Sequence, residues 1–202
     1  MRFDGCHAGQ RHSQLILPMI DALLQRSGVK LDDLDALAYG EGPGSFTGLR
    51  IACGIVQGLA MAIDCPVVGV GTLAAIAQAS NASHAVCCLD ARMHEVYAAA
   101  YRRDAQAWQT VFEPGLYSPD DLPPLPVAQW IGCGSGFAAY AQQLRSAYGD
   151  RVVRTEPQLM PHAREIAALG AIAFARDGGK PAAEALPLYL RDKVALTMDE
   201  QR

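Results

Sequence analysis

Histidine is the side chain that most often binds a metal or moves a proton near neutral pH, so the five histidines of this sequence are the first candidates for chemistry. His7 and His12 are five residues apart, which on a helix places them on different faces. His84, His94 and His162 are scattered along the chain, and no H-E-x-x-H pattern occurs. A single histidine does not make a metal site, so we expect no bound metal ion.

Acidic side chains are best placed around Asp90, which follows an apolar segment and precedes Arg92. A carboxylate at the end of a strand can be an active-site group. Asp90 can equally form a turn and pair with Arg92, or Glu95 can pair with Arg92 across a hairpin. We favour the structural interpretation of these charges.

Hydroxyl side chains that could act as nucleophiles have no visible base partner. This holds for Ser45, Thr47 and Ser135. The G-S-G sequence at 134–136 also lacks the full G-x-S-x-G pattern of a hydrolase nucleophile elbow. We therefore expect no catalytic residue in this chain.

Composition indicates a reducing compartment and gives no sign of an RNA-binding surface. The sequence has six cysteines: Cys6, Cys53, Cys65, Cys87, Cys88 and Cys133. They form no C-x-x-C pair, and most of them lie in apolar runs. The net charge of −4 and the single basic pair Arg102-Arg103 are unlike the basic face that binds nucleic acid. The start of the chain lacks the apolar core of a signal peptide, and Ile51–Ile63 is too short to span a bilayer. We expect a cytoplasmic protein that binds neither a membrane nor tRNA by itself.

A glycine-rich loop at 42–48, with the sequence G-P-G-S-F-T-G, separates a predicted strand from a predicted helix. Such a loop can direct backbone N–H groups at an anion, and Gly42, Gly44, Ser45 and Thr47 would then face a phosphate. The loop has no lysine for a Walker motif and no G-x-G-x-x-G pattern. A tight turn that caps the next helix explains the same residues, and both interpretations stay open.

Small residues recur every four positions in the predicted helix Leu49–Ile63, at Gly54, Gly58 and Ala62. Such a stripe lets another helix approach closely, and because glycine costs about 1 kcal/mol relative to alanine in a helix, two glycines suggest a packing reason. The neighbour could be another subunit, or this chain's own sheet or first helix. The predicted first helix, Ser13–Arg26, is apolar on more than one side and needs more than one packing partner.

The predicted elements alternate between strands and helices, which indicates an α/β protein with a mostly parallel or mixed sheet. The strands are Leu34–Tyr39, Val67–Val70, Ala85–Leu89, Glu95–Arg102, Thr110–Phe112, Ala128–Cys133 and Val152–Arg154. Besides the two helices above, the pattern predicts helices from Thr72, as cap, to about Ser80, over Phe137–Tyr148 and over His162–Arg176, with a loop at Pro114–Pro126. A break near Ala79–Ala85 divides the chain into predicted lobes 1–82 and 83–202.

Three segments together resemble the TsaB (YeaZ) family. They are residues 11–19, which run from R-H-S-Q to L-P-M, residues 38–51, A-Y-G-E-G-P-G-S-F-T-G-L-R-I, and residues 89–97, L-D-A-R-M-H-E-V-Y. Residues 187–195, P-L-Y-L-R-D-K-V-A, add a weaker match. The second segment is highly specific, and the likeness covers nearly the whole chain from Arg11 onward. The resemblance implies a two-lobed α/β fold of the actin-like, sugar-kinase-like (ribonuclease H-like) class.

The resemblance also implies a function without catalysis. TsaB pairs with the catalytic subunit TsaD, and the TsaE ATPase joins them, in forming threonylcarbamoyladenosine in tRNAs that read codons beginning with A. tRNA would be bound only through the complex, and ATP or ADP only together with TsaD and TsaE. Homodimers also form in this family. Both pairings use the first two helices, so the interface residues would be Leu15, Met19, Leu23, Arg50, Gly54, Gly58 and Ala62.

Two other functions are weighed beside this one, a metallopeptidase-like hydrolase and an independent nucleotide-binding ATPase of the actin-like class. TsaD carries a pair of metal-binding histidines in its first helix, and only His12 matches that place here. Family members also begin with a β-hairpin before the first helix, which this sequence lacks. The first lobe would then expose a sheet edge, and either the start codon is assigned too late or the protein is truncated.

Overall fold

The computed structural model describes residues 2–5, 11–105 and 107–191; Cys6, His7 and the last four residues (192–195) of the segment 187–195 lie outside them. The strands are β1 (Leu37–Gly42), β2 (Val67–Gly71), β3 (His84–Arg92), β4 (Glu95–Asp104), β5 (Ala107–Tyr117), β6 (Trp130–Cys133) and β7 (Val152–Glu156). The α-helices are α1 (His12–Ser27), α2 (Phe46–Ile63), α3 (Thr72–Ala79), α4 (Gly136–Ala139), α5 (Ala141–Tyr148) and α6 (Ala163–Asp177). The α/β class is therefore as predicted.

The first sheet consists of the parallel strands β1 and β2, with α2 as the connection between them. α2 covers one face of this sheet through its buried residues Leu49, Cys53 and Ala60. α6 covers the other face, and at Gly170 it approaches so closely that an added Cβ would lie 2.5 Å from the Cβ of Ala38. Within the described part of the chain, β1 pairs with β2 alone, so its other edge is open.

Gly170→Ala is expected to lower the free energy of unfolding by about 1–3 kcal/mol, because the new methyl group overpacks the contact between α6 and β1. We expect the cost of overpacking to exceed the gain of about 1 kcal/mol in helix propensity that alanine brings, so the net effect is a loss of stability. Gly58→Ala is the matched control, since a Cβ at Gly58 would meet no atom within 4 Å and should stabilise the protein slightly. Urea denaturation of both variants checks this, and stabilisation by Gly170→Ala would contradict it.

The second sheet has five strands in the order β5-β4-β3-β6-β7. β3 lies at its centre, antiparallel to β4 and parallel to β6. Side chains of β3 alternate between two cores, as expected for a strand buried on both faces. Val86 and Cys88 pack with α4 and α5, whereas Ala85, Cys87 and Leu89 pack with α3.

Strand β5 differs most from the sequence prediction, which placed a loop over Pro114–Pro126. β5 continues instead to Tyr117. It lies at the edge of the sheet, and its pairing with β4 shifts register between Phe112 and Gly115. Pro114 falls at this shift, where the missing backbone N–H does not interrupt a regular ladder.

Two helix limits also differ from prediction. The helix predicted over Phe137–Tyr148 breaks at Tyr140, whose φ of −128° is not helical, so that α4 ends and α5 begins there. Thr72 does not cap α3, since Gly71 occupies the cap position. The Thr72 hydroxyl instead donates a hydrogen bond to the Pro43 carbonyl and thereby ties α3 to the glycine-rich loop.

The end of the chain returns to the first sheet. Val67 and Lys180 exchange backbone hydrogen bonds of 2.8 and 2.9 Å. Beyond them runs Leu186–Arg191, here called the tail, where the Leu188 N–H donates to the Glu41 carbonyl at 2.7 Å. α6 and the tail thus contact β1 or β2, although both follow the predicted boundary at 82/83. The division into two lobes stays a prediction.

Candidate partner-binding surface

α1 is an apolar helix that the rest of the chain covers only in part. It ends as predicted at Gly28, whose left-handed φ of +65° closes the last turn. None of the 16 residues of α1, all of them described, is buried. Leu15, Met19 and Leu23 are half-buried, and Leu17 is exposed. α1 therefore keeps apolar surface that the described part of the chain does not cover, although an apolar helix is stable in water only when its apolar sides are covered.

The glycine stripe of α2 faces away from the protein. Arg50, Gly54, Gly58 and Ala62 are all exposed. A Cβ built on Gly54 or Gly58 would meet no atom within 4 Å. Packing of the stripe against this chain's own sheet or first helix, one of the two interpretations left open by the sequence, is therefore wrong for the described residues.

A groove of about 630 Å³ lies along α1 and the turn that follows it, and α2 reaches it only at Leu59. Its apolar lining comes mainly from Leu17, Ile20 and Leu24 of α1 and from Val29 and Leu31 of the turn. Beside the glycine stripe, Met61 exposes 72% of its surface. Neither Leu17 nor Met61 was among the interface residues predicted from the sequence. Met61 lies one helical turn after Gly58, and that spacing could have identified it.

α2 is long and apolar enough to cross a membrane, with 18 residues, a mean hydropathy of 1.6 and only 17% of its residues buried. The core helix of a soluble protein can have the same length and composition. Here α2 connects two paired strands and is anchored to them through Leu49, Cys53 and Ala60. The same length and composition thus fit a helix with one face buried on a sheet and the opposite face exposed.

The glycine-rich loop is shorter than predicted, since β1 runs to Gly42 and α2 starts at Phe46. Ser45 caps α2, with its Oγ accepting a hydrogen bond from the Gly48 N–H at 3.4 Å. Thr47 is exposed in the first turn of α2. The capping interpretation is therefore confirmed, and a phosphate-facing role for Gly42, Gly44, Ser45 and Thr47 stays a prediction.

The tail lies against this loop. Gly42 has a φ of +123°, and an added Cβ there would lie 2.7 Å from the Leu188 carbonyl oxygen. The Arg50 Nε donates to the Tyr189 hydroxyl at 2.7 Å, while the Arg50 guanidinium lies 3.8 Å from the centre of the Phe46 ring. The crevice between tail and loop measures about 40 Å³, a volume on the scale of one or two water molecules.

Asp90 takes the structural role that the sequence favours. Its carboxylate accepts the Arg92 N–H at 2.9 Å and pairs with the Arg92 guanidinium at 3.4 Å. Ser135 Oγ accepts the Asp90 N–H at 3.1 Å. Glu95, which the sequence offered as an alternative partner of Arg92, pairs instead with Arg191 of the tail at 2.7 Å.

The histidines described by the structure occupy packing positions. His84, His94 and His162 each lie edge-on against an aromatic ring, at centroid distances of 5.0, 5.4 and 6.0 Å. His12 is the first residue of α1. Among the described residues, no group of three His, Cys, Asp or Glu side chains is arranged to hold a metal ion.

Buried phenols are expected to make the protein sensitive to alkali. Burial, together with Cys53 and Glu41 nearby, raises the pKa of Tyr39 from 10.0 to about 12. A phenol whose pKa is raised in the folded state stabilises the fold fully below pH 10, and this contribution is lost as the pH rises toward 12. Melting temperatures should therefore fall in that window, and less steeply in Tyr39→Phe. An identical alkaline slope in the variant would contradict this assignment.

Sequence comparison relates the chain to tRNA-modification proteins. The family described as "TsaD: tRNA N6-adenosine threonylcarbamoyltransferase" matches residues 6–197. The Escherichia coli tRNA threonylcarbamoyladenosine biosynthesis protein TsaB is 37% identical over 196 residues, which cover 92% of this chain and 83% of that protein. The Haemophilus influenzae TsaB protein is 34% identical over 200 residues, with coverages of 93% and 83%.

Two solved structures from Pseudomonas aeruginosa share the fold. One is described as an uncharacterized protein with similarity to peptidase YeaZ and has a TM-score of 0.83, and the other is described as YeaZ and has a TM-score of 0.81. Both are 38% identical to this chain and cover 89% of it, while the chain covers 84% and 85% of them. The predicted actin-like fold class is thereby confirmed, and the chain belongs to the TsaB (YeaZ) family.

Proposed function

We propose that this chain is a non-catalytic cytoplasmic subunit that binds TsaD through α1 and α2 and supports it in forming threonylcarbamoyladenosine in tRNAs that read codons beginning with A. TsaE joins the two subunits, and tRNA is bound only by the complex. ATP or ADP binds in the complex and not to this chain alone. A homodimer through the same helices is the competing assembly.

One observation carries the proposal: the exposed face of α2 is lined by Gly54 and Gly58 and lies beside the incompletely covered α1. A helix that carries two solvent-facing glycines loses helix propensity without any packing gain in its own chain. That loss is offset when another helix approaches closely along the stripe. The groove along α1, which Leu59 of α2 also lines, adds apolar surface for the same partner.

The modification named in the proposal is inferred from the relatives, whose names state a role in threonylcarbamoyladenosine biosynthesis. Two observations favour a supporting role over a catalytic one. The Asp90 backbone N–H donates a hydrogen bond to the Ser135 hydroxyl, so the Asp90 carboxylate is not bonded to Ser135 as a base to a nucleophile. The crevice beside the glycine-rich loop is occupied on one side by the tail, which disfavours an independent ATPase.

Reconstitution tests the proposal. Purified TsaD, TsaE and this chain, from the same organism, are incubated with threonylcarbamoyl-adenylate, ATP and a tRNA whose anticodon reads codons beginning with A. We expect modified adenosine with all three proteins and none when this chain is left out. Full modification without it would refute the supporting role. Stoichiometric zinc or iron in the purified chain would favour the hydrolase, and tight ADP binding by the isolated chain would favour the ATPase.

A further inference from the structure

A groove of about 550 Å³ lies along the outer edge of β2, away from β1. β2 forms its floor, and the end of α6 and the tail form its walls. Hydrogen bonds hold both walls in place: the backbone of Lys180 pairs with that of Val67 at 2.8 and 2.9 Å, and the Tyr39 hydroxyl donates to the Leu186 carbonyl at 3.2 Å. The volume lies in the range of pockets that bind small molecules.

The half-buried Glu41 carboxylate reaches this groove from β1. Its side chain extends across Gly69 of β2, where an added Cβ would overlap Oε2 of the carboxylate. Gly69 therefore leaves the space that Glu41 needs to reach the groove. Within the described part of the chain, the carboxylate accepts no hydrogen bond and forms no ion pair within 4.0 Å. Burial raises the pKa of Glu41, as expected for a carboxylate that is partly removed from water without a hydrogen-bond donor.

Lys180 supplies the opposite charge in the same groove. Burial is the main cause of the raised pKa of Glu41, and Lys180 lies near enough to oppose it. The two side chains nevertheless form no ion pair within 4.0 Å, so a ligand group can enter between them. The other charged groups that line the groove are already paired or solvated: Arg176 and Asp177 pair with each other at 2.6 Å, and Glu184 is exposed. Two opposite charges that face one groove without touching are complementary to a molecule that carries both.

We propose that this groove binds a free α-amino acid, with its ammonium group on the Glu41 carboxylate and its carboxylate on the Lys180 ammonium group. Each contact is a charge-assisted hydrogen bond, which is stronger than one between neutral groups. Val68, Ala173 and Leu186 line the groove and are suited to an aliphatic ligand side chain. Amino-acid binding here does not depend on the TsaD interface proposed above, because none of the described lining residues belongs to α1 or α2.

A ligand with a single charge matches the groove less well than an amino acid does. A simple amine would satisfy Glu41 but would bring a second positive charge toward Lys180. A simple carboxylic acid would satisfy Lys180 but would bring a second negative charge toward Glu41. Like charges at short range oppose binding, so each group on the protein disfavours one of these two ligands. An α-amino acid avoids both repulsions because it carries the two charges on neighbouring atoms.

Thermal-shift measurements on the full chain with each of the standard amino acids test the site. We expect at least one aliphatic amino acid to raise the melting temperature, with a dissociation constant of about 1 mM or lower by calorimetry. The amine and the carboxylic acid with the same side chain, each lacking one of the two charges, should bind about tenfold more weakly or worse. No shift with any amino acid would overturn the proposal, and so would an equal affinity for either of these analogues.

Substitutions in the groove test the role of each charge. Glu41→Gln and Lys180→Met keep the approximate shape of the side chain but remove its charge, and each should weaken binding about tenfold or more. Gly69→Ala should act like Glu41→Gln, because the new methyl group displaces the carboxylate. Glu184→Gln is the matched control, since it removes an exposed carboxylate from the same groove and should leave the affinity unchanged. Wild-type affinity in Lys180→Met, whose exposed side chain can be changed without unfolding the protein, would overturn the site, as would equal losses in Glu184→Gln and Glu41→Gln.

Discussion

Gly58→Leu is expected to abolish the complex with TsaD and, with it, the modification of tRNA, while the isolated protein stays folded. The reason lies in the geometry of α2: a Cβ at Gly58 points into open space and meets no atom of the described chain within 4 Å, so a leucine there can extend away from its own chain. Against a closely approaching helix the same side chain forces the two axes apart. Size-exclusion chromatography with TsaD and the reconstituted modification assay measure the loss.

Ala171→Leu is the control for this variant, since Ala171 is an exposed small residue in the middle of α6 and far in sequence from the stripe. It should bind TsaD normally. Leucine has a higher helix propensity than glycine, so Gly58→Leu should also melt no lower than the wild type, with a gain of up to about 1 kcal/mol. Normal complex formation by Gly58→Leu would place the interface elsewhere, and a collapsed melting temperature would show that the stripe is packed after all.

Local chemistry made many element limits predictable from sequence. Gly28 ends α1 because glycine accepts the left-handed φ that closes a helix. Val67–Val70 was predictable as a strand because a short apolar run with a proline before it fits a buried parallel strand. Pro114 misled the prediction because a proline usually ends a strand, and only the pairing partner reveals a register shift that accommodates it.

Long-range contacts explain why the candidate surface was only partly predictable. The stripe on α2 was visible as a four-residue repeat, but the same repeat suits packing on the chain's own sheet. Gly170 of α6, which does touch Ala38, shows that outcome in this very protein. The hydrogen bond between Arg50 and Tyr189 joins residues 139 apart, and Arg191 reaches Ala91 across 100 residues. No spacing rule along the chain foretells such pairs.

Removal of the Trp130 side chain, the largest that is fully buried, is expected to destabilise the second sheet. Trp130 is 1% exposed and packs among Val86, Phe137 and Leu144 on the face that α4 and α5 cover. Its indole N–H donates to the Pro126 carbonyl at 3.1 Å, which also fixes the end of the proline-rich stretch. Trp130→Ala would leave a large cavity in a core that cannot collapse around it without moving two helices.

We expect Trp130→Ala to lower the free energy of unfolding by about 3–5 kcal/mol, a large part of the stability of an ordinary domain. Trp130→Phe keeps most of the ring volume and loses the hydrogen bond, so it should cost distinctly less, about 1–2 kcal/mol. Urea denaturation followed by circular dichroism separates the two variants. Equal losses would mean that the hydrogen bond to Pro126, and not the filling of the core, is what Trp130 contributes. Because α2 packs on the first sheet and α1 contacts α2, a change in the core of the second sheet should leave both helices in place. Trp130→Phe should therefore still bind TsaD with wild-type affinity.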